Sequence, residues 1–422
     1  MLGRCLAEEC PLPIAPTGLV SQTHILVLGN MTILAPAFEH PSPEVSLMTL
    51  TGQHHTLRCP STRSNTPTQI TALALDQSTL TSSHTRLACF ISTGELSLFS
   101  ISHTIPLTSR RELTYTPPRR TSRVSPIVQA VYHHPLLITL SESFSLSIYD
   151  LSSGNIILQH TLTSFTSYPP SCMVLSAPTN SAYKLVIAYA IPVYPAHWSV
   201  GVTELIITNH SGSEPTLSSS HYLSDIATIP PMSILSTRTA RAVDVPQGWI
   251  DERKLRYMRE QWSRKVSRIA DTQTDGKWVV LAPDDSIHGR PTPSSTSSHL
   301  NSHTASSLYS PTSLQLYRLS LPQPSSVSSS PPKLTFVRTL NGQLGPIASL
   351  ALADGRCVSL GLNGSIWVWD LEAGTGAEVA GPEFGLTYED ARILFTKPSV
   401  DFDDRRIITT AGDRVVVRSF DI

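Results

Sequence analysis

Residues 340–371 read LNGQLGPIASLALADGRCVSLGLNGSIWVWDL. Ile347 to Leu352 has the pattern of a strand, and Ala353-Asp354-Gly355 closes it with a turn. Cys357 to Leu360 makes a second strand. Asn363-Gly364 follows as a two-residue hairpin turn, since both residue types tolerate positive φ. Ser365 to Leu371 makes a third strand ending in Trp369-Asp370, and Glu372-Ala373-Gly374 turns the chain into a fourth at about Glu378 to Ala380. One such unit could arise by chance. Several would not.

Three tight antiparallel strands ending in Trp-Asp, with a fourth behind them, resemble one blade of a WD-repeat β-propeller. That resemblance implies a buried hydrogen-bonded network of His, Ser, Trp and Asp. Here Gly342-Gln343 stands for the usual Gly-His pair and Asn363 for the turn Asp, whereas Ser359, Gly364, Trp369 and Asp370 are in place. The network is therefore expected to be only partly built, with apolar packing supplying more of the blade's stability.

A propeller of about seven blades fits a single unit of 422 residues. Hydrophobic residues make up 40% and charged residues 15%, with much Ser, Thr and Pro besides. Such a composition suits many short strands joined by turns rather than helices rich in Glu, Lys and Ala. A net charge of −1 gives no whole-molecule attraction to nucleic acid or anionic membrane, so neither is expected as a partner. The six cysteines form no C-x-x-C pair, and Cys89, Cys172 and Cys357 fall in apolar strand patterns, where reduced Cys packs as a small hydrophobe. No basic n-region with an apolar run opens the chain, and the longest apolar stretch, Leu185 to Tyr194, is too short to span a bilayer. The expectation is a cytoplasmic or nuclear protein.

The blades are expected at residues 14–60, 68–117, 125–163, 170–245, 265–340, 345–381 and 389–422, behind a tail at 1–13. Six blades with an irregular insert is the alternative. The third unit is the clearest after residues 345–381, because Tyr149-Asp150 stands in the Trp-Asp place; Phe99 stands there in the second. Residues 209–248 hold few strand signals. Within 250–264, Leu255, Met258 and Trp262 recur at helical spacing behind Asp251 and Glu252, which favour a helix N-terminus. Lys265 to Ala270 and Trp278 to Ala282 then read as the first two strands of a blade. In residues 291–312, twelve of twenty-two are Ser or Thr, so 285–312 is expected to be a disordered loop. Arg392 to Thr396, Arg406 to Ala411 and Arg414 to Phe420 read as the last three strands, with Ser419-Phe420-Asp421 in the Trp-Asp position. The final blade thus lacks an outer strand, and the stretch from Leu12 to Val20 is the candidate to supply it.

No H-E-x-x-H, G-x-S-x-G or phosphate loop occurs, and no catalytic residue, metal ligand or cofactor is expected. Gly374-Thr375-Gly376 reads as a tight turn, and the pairs His54-His55 and His133-His134 as solvated turn residues. Two basic groups remain as candidate partner-binding residues. Residues 250–269 hold seven Lys or Arg against three Asp or Glu, among them Arg253, Arg256 and Arg259. These arginines either lie on a solvated helix face or meet an acidic partner. Arg110, Arg111, Arg119, Arg120 and Arg123 form the second group, read as a connection between blades. It could grip carboxylate or phosphate, or be a flexible, phosphorylatable loop.

The run from YPPSCMVLS to YKLVIAYAIPVYPAHWSVGVTELIIT in residues 168–208, with GWIDERKLRYMREQW, is similar to a fungal group of F-box proteins with WD-repeat propellers. The resemblance implies that the propeller selects a target and that an N-terminal F-box docks it to the adaptor of a cullin-based ubiquitin ligase; the basic groups would suit an acidic or phosphorylated target peptide. Residues 1–13 are too short to be an F-box. The chain is then either a propeller-only relative or one lacking its beginning. A scaffold in another assembly, such as trafficking or RNA processing, is the second reading.

Overall fold

The structure is a computed structural model that describes the chain except residues 1–4, 12–22, 37, 64–65, 79–82, 103–106, 119–124, 180, 194–195, 210–231, 245–247, 285–311, 322–330, 383–397, 412–413 and 421–422. Strand β1 (Cys5–Pro11) opens it, followed by six sheets of four consecutive antiparallel strands each. The first sheet comprises β2 (His24–Leu28), β3 (Met31–Ala35), β4 (Glu44–Thr49) and β5 (His54–Arg58). The second comprises β6 (Ile70–Leu75), β7 (His84–Ile91), β8 (Leu96–Ser102) and β9 (Ser109–Tyr115). The third has β10 (Ile127–His133), β11 (Leu136–Ser141), β12 (Ser145–Asp150) and β13 (Ile157–Thr163). The fourth, with the longest strands, has β14 (Tyr168–Thr179), β15 (Ala182–Val193), β16 (His197–Asn209) and β17 (Met232–Arg241). Helix α1 (Glu252–Trp262) precedes the fifth, made of β18 (Ile269–Thr274), β19 (Trp278–Pro283), β20 (Leu314–Ser320) and β21 (Lys333–Leu340). The sixth has β22 (Ile347–Ala353), β23 (Arg356–Gly361), β24 (Ile366–Asp370) and β25 (Thr375–Ala380).

The seventh sheet contains β26 (Ser399–Phe402), β27 (Arg406–Ala411) and β28 (Arg414–Phe420), and its fourth strand is β1, antiparallel to β28 with Cys5 opposite Phe420 and Pro11 opposite Arg414. The first strands β2, β6, β10, β14, β18, β22 and β26 neighbour one another in turn, and β26 returns to β2. This closed ring is a seven-bladed β-propeller. One apolar cluster fills each junction, from Ile33, Leu57 and Ile70 between blades one and two to Leu34, Ile408 and Val415 between seven and one.

Several boundaries differ from the sequence reading. The closing strand is Cys5–Pro11, so part of the expected tail belongs to the propeller; Leu12 to Val20 lies outside the described residues. The inner strand of blade seven is Ser399–Phe402, and Arg392 to Thr396 also lies outside them. Blade five begins at Ile269 rather than Lys265, because residues 263–268 leave the helix and Val266 bridges to Trp198 instead. The weakly patterned 209–248 region holds β17, whose residues alternate between sheet and solvent. The expected loop at 285–312 lies, but for Thr312, outside the described residues.

Blade six builds more of its network than its sequence promises. The Trp369 indole Nε1 donates to Ser359 Oγ at 2.8 Å, Ser359 Oγ donates to Gln343 Oε1 at 2.5 Å, and Gln343 Nε2 reaches the Ser365 carbonyl at 3.5 Å. Gln343 thus does the bridging expected of a His, because its amide can both donate and accept. Asn363 turns the other way: its Nδ2 donates to the Leu344 carbonyl and its Oδ1 accepts from Ser365. Only Gly364 of the Asn363-Gly364 turn has positive φ, at 81°. Gly342 is required for closeness, since a Cβ there would lie 2.6 Å from the Trp367 ring, which stacks on Trp369. In blade three, Tyr149 pairs with Leu137 as Trp369 pairs with Cys357, and Asp150 caps its turn by accepting from Ser152. In blade seven the same register puts Arg418, opposite Ile407, in the Trp place, and Ser419 in the Asp place. The Phe420-Asp421 assignment is therefore two residues late. Arg418 Nη1 donates to Thr409, the counterpart of Ser359, at 3.0 Å.

Trp369→Phe keeps an aromatic ring but removes the indole N–H that the buried Ser359 hydroxyl accepts from, and leaves a void where the larger ring lay. It is expected to lower unfolding stability by about 1–3 kcal/mol, measurable by urea denaturation.

Candidate functional site

Each inner strand begins on one face of the ring, termed upper here. Connections between blades and turns between second and third strands lie on that face. Turns between first and second strands lie on the lower face, and their aspartates bind blade to blade. Asp76 Oδ1 accepts from the backbone N–H of His134 at 3.0 Å, and Asp275 Oδ2 from that of Gly355 at 3.0 Å. Asp403 instead holds Arg406 at 2.6 Å, and the buried guanidinium donates across the closing junction to the Gly29 carbonyl. These side chains are occupied with holding the ring. They are not free to bind partners.

The central channel is lined by all seven inner strands and encloses about 680 Å³, with a further cavity of about 600 Å³ that shares Leu26, Leu73 and Asp401 with it. Its wall is polar at blade junctions: Ser171 Oγ donates to Gln129, Asp271 Oδ2 accepts from Leu350 N–H at 2.8 Å, and Ser399 Oγ donates to the Thr23 carbonyl at 2.7 Å. Burial lowers the His24 imidazole to about 4, partly opposed by a hydrogen bond with the Ile70 backbone. Burial also pushes the Asp401 carboxyl up to about 7, although the Phe402 and Val27 N–H groups favour its charged form. These groups bond to backbone rather than converge on a common point. Among the described residues, no group of three or more His, Cys, Asp or Glu could hold a metal ion. His55 and His133 each end in a protein contact, with Ser109 and with the Tyr183 ring.

The upper face carries a different surface. Helix α1 lies in the connection from blade four to blade five, capped by Asp251, whose Oδ1 accepts from Lys254 N–H at 2.8 Å. It is anchored at its C-terminal end: Gln261 is buried and accepts from Asp244 N–H, and Val266 exchanges backbone hydrogen bonds with Trp198. The expected Leu255/Met258/Trp262 stripe is packed at Met258 and Trp262 but not at Leu255. Met258 and Trp262 are half-buried, but Leu255 is exposed, and the face turned to the propeller centres on Gln261. Trp249 at 86% exposure and Tyr257 at 52% stand in solvent with Ile250 and Leu255. Arg253, Arg256 and Arg259 are exposed on the same helix.

Of the second basic group, Arg110 and Arg111 are the two among the described residues. Arg110 and Arg111 lie in β9, an outer strand, rather than in a connection. Arg111 donates to the Arg58 carbonyl of blade one and covers the Phe99 ring at 5.3 Å. Arg119, Arg120 and Arg123 lie outside the described residues. The exposure of Trp249 gave no sequence signal, since an aromatic beside a helical stripe reads as core.

Fold and surfaces together define a β-propeller with ring-holding polar residues below and an apolar, arginine-bearing helix above. No family model matches the chain, and no curated protein does. Among solved structures it is similar to the WD40 β-propeller domain of Doa1, with a TM-score of 0.43 and 10% identity over 99% of this chain and 96% of that one. It is also similar to the computationally designed Ika8 protein, with a TM-score of 0.39 and 11% identity over 94% and 95%.

Asp401 yields a pH test. Its folded pKa lies above the unfolded value of 3.8, so the folded state binds the extra proton and this contribution is lost as pH rises through about 7. Asp401→Asn should therefore gain thermal stability relative to the parent protein between pH 5 and pH 8. Melting curves at both pH values check the sign.

Proposed function

We propose that the chain is a non-enzymatic protein-interaction scaffold whose upper face binds partner proteins. The observation that supports this most is the α1 surface. Trp249, Ile250, Leu255 and Tyr257 are all exposed within one short segment, and exposed apolar patches mark interaction sites. Trp, Tyr and Arg are also the residues that dominate binding energy at interfaces. Arg253, Arg256 and Arg259 add a preference for an acidic or phosphorylated partner, through bidentate hydrogen bonds. Four cysteines, Cys59, Cys89, Cys172 and Cys357, are free and buried, which agrees with a reducing cytoplasmic or nuclear setting.

The finer reading is a substrate-recognition propeller of a cullin-type ubiquitin ligase. It rests on the resemblance of residues 168–208 and of the α1 segment to F-box/WD-repeat proteins. A scaffold in trafficking or RNA processing shares the same surface and differs in its partners.

Quantitative mass spectrometry after affinity purification separates these readings. Trp249→Ala/Tyr257→Ala and Arg253→Glu/Arg256→Glu/Arg259→Glu should each lose the same partner, with melting temperatures unchanged because the substituted side chains are exposed. Partner sets indifferent to both variants would overturn the role of α1. A cullin adaptor among the partners would support the ligase reading, and a stable complex without one would remove it.

A further inference from the structure

A second surface lies between blades three and four, where the turn at Phe144 meets the connection at Ser164 to Ser167. There the blades part to leave a groove of about 230 Å³. Its floor is apolar, made by Leu140, Phe144 and Leu146 of blade three with Ile187, Tyr189 and Leu205 of blade four. Phe144 and Tyr189 meet edge to face at 5.5 Å, and Tyr189 is held by a chain of hydroxyls, Tyr189 to Thr203 at 2.9 Å and Thr203 to Thr239 at 3.2 Å. A side chain on Gly201 would strike the Tyr189 ring, with its Cβ 2.8 Å away. The floor is thus fixed before anything binds.

The rim adds two features. Phe165, 88% exposed, stands in the connection whose neighbours Ser164 and Thr166 line the groove, with Leu162 half out of the surface beside it. Thr237, Thr239 and Arg241 lie on the outward side of β17, all exposed, and Leu235 continues that row. Among the described residues, Arg241 is the only charged one that lines the groove.

We propose that this groove binds a short segment of a partner protein that presents one large apolar side chain followed, within a few residues, by Asp or Glu. The volume is below the roughly 300–1,000 Å³ of small-molecule sites, and it suits a single anchoring side chain. Leu162 lines the groove beside the anchor, and the exposed Phe165 of the adjoining connection extends that apolar rim. The hydroxyl row offers hydrogen bonds to the segment's backbone. Arg241 sets the sign of the charge that follows the anchor, because a basic residue would be repelled and a neutral one would leave the guanidinium unpaired.

The test is selection from a phage-displayed random peptide library on the full chain, followed by fluorescence polarisation with the enriched peptide. Enriched sequences should pair a Leu, Phe or Trp with a nearby Asp or Glu. Phe165→Ser, at an exposed loop position, and the groove-filling Thr239→Trp should each weaken binding by about tenfold or more. Arg241→Glu should abolish the acidic preference and enrich Lys or Arg instead. Reversing Arg253, Arg256 and Arg259 should leave the affinity unchanged, which separates this site from α1. Failure to enrich any peptide, a consensus without the acid, or binding indifferent to Phe165→Ser and Arg241→Glu would overturn the proposal.

Discussion

A propeller exists only if its ring closes, and here closure depends on the chain's first strand pairing with its last. The sheet of β26, β27 and β28 would otherwise expose a full edge of unpaired backbone groups, an arrangement that invites aggregation. Strand β1 covers it in an uninterrupted antiparallel register. Among the described residues, Leu34, Ile408 and Val415 are the fully buried apolar side chains at the junction between blades seven and one. Polar bonds cross the same junction: Ser399 to the Thr23 carbonyl, and Arg406, oriented by Asp403, to the Gly29 carbonyl.

That division of labour explains which residues are left for partners. On the lower face Asp76 and Asp275, and in the channel Ser171, Asp271 and Ser399, are consumed by contacts between blades. Fewer side chains of α1 and of the groove rim are taken up in that way. Exposed aromatics and arginines collect there, on α1 and beside the groove between blades three and four. Rigidity of the ring is what makes such surfaces useful, since a fixed floor costs little ordering on binding.

Blade six could be read directly because its turns carry Asp354-Gly355 and Asn363-Gly364 and its third strand ends in Trp369-Asp370. Strand β1 could not. Its Leu-Ala-Glu-Glu core favours helix, and only the open edge of β28 makes it a strand. Strand β26 is four residues long, too short for a period to show. Strand β17 reads Ser-Thr-Arg-Thr because its outward side is solvent. On α1 the apolar stripe misled only at Leu255, for a different reason: anchoring comes from Gln261 and from the Val266 bridge, so Leu255 need not be covered. The candidate surfaces were legible only in part. Arg253, Arg256 and Arg259 are where helical spacing puts them, but Arg111 is spent on Phe99 and the Arg58 carbonyl. The groove between blades three and four had no signal at all, since Phe144 and Tyr189 read as ordinary core.

Closure by β1 is tested most directly by native-state hydrogen exchange of the intact protein. The account predicts that the amides of β1 and of β28 that pair with each other are protected together, at a level matching β27, because they open only when the ring opens. Rapid exchange along β1, with β28 protected solely on its β27 side, would mean that the ring is held without the N-terminal strand and would contradict the account.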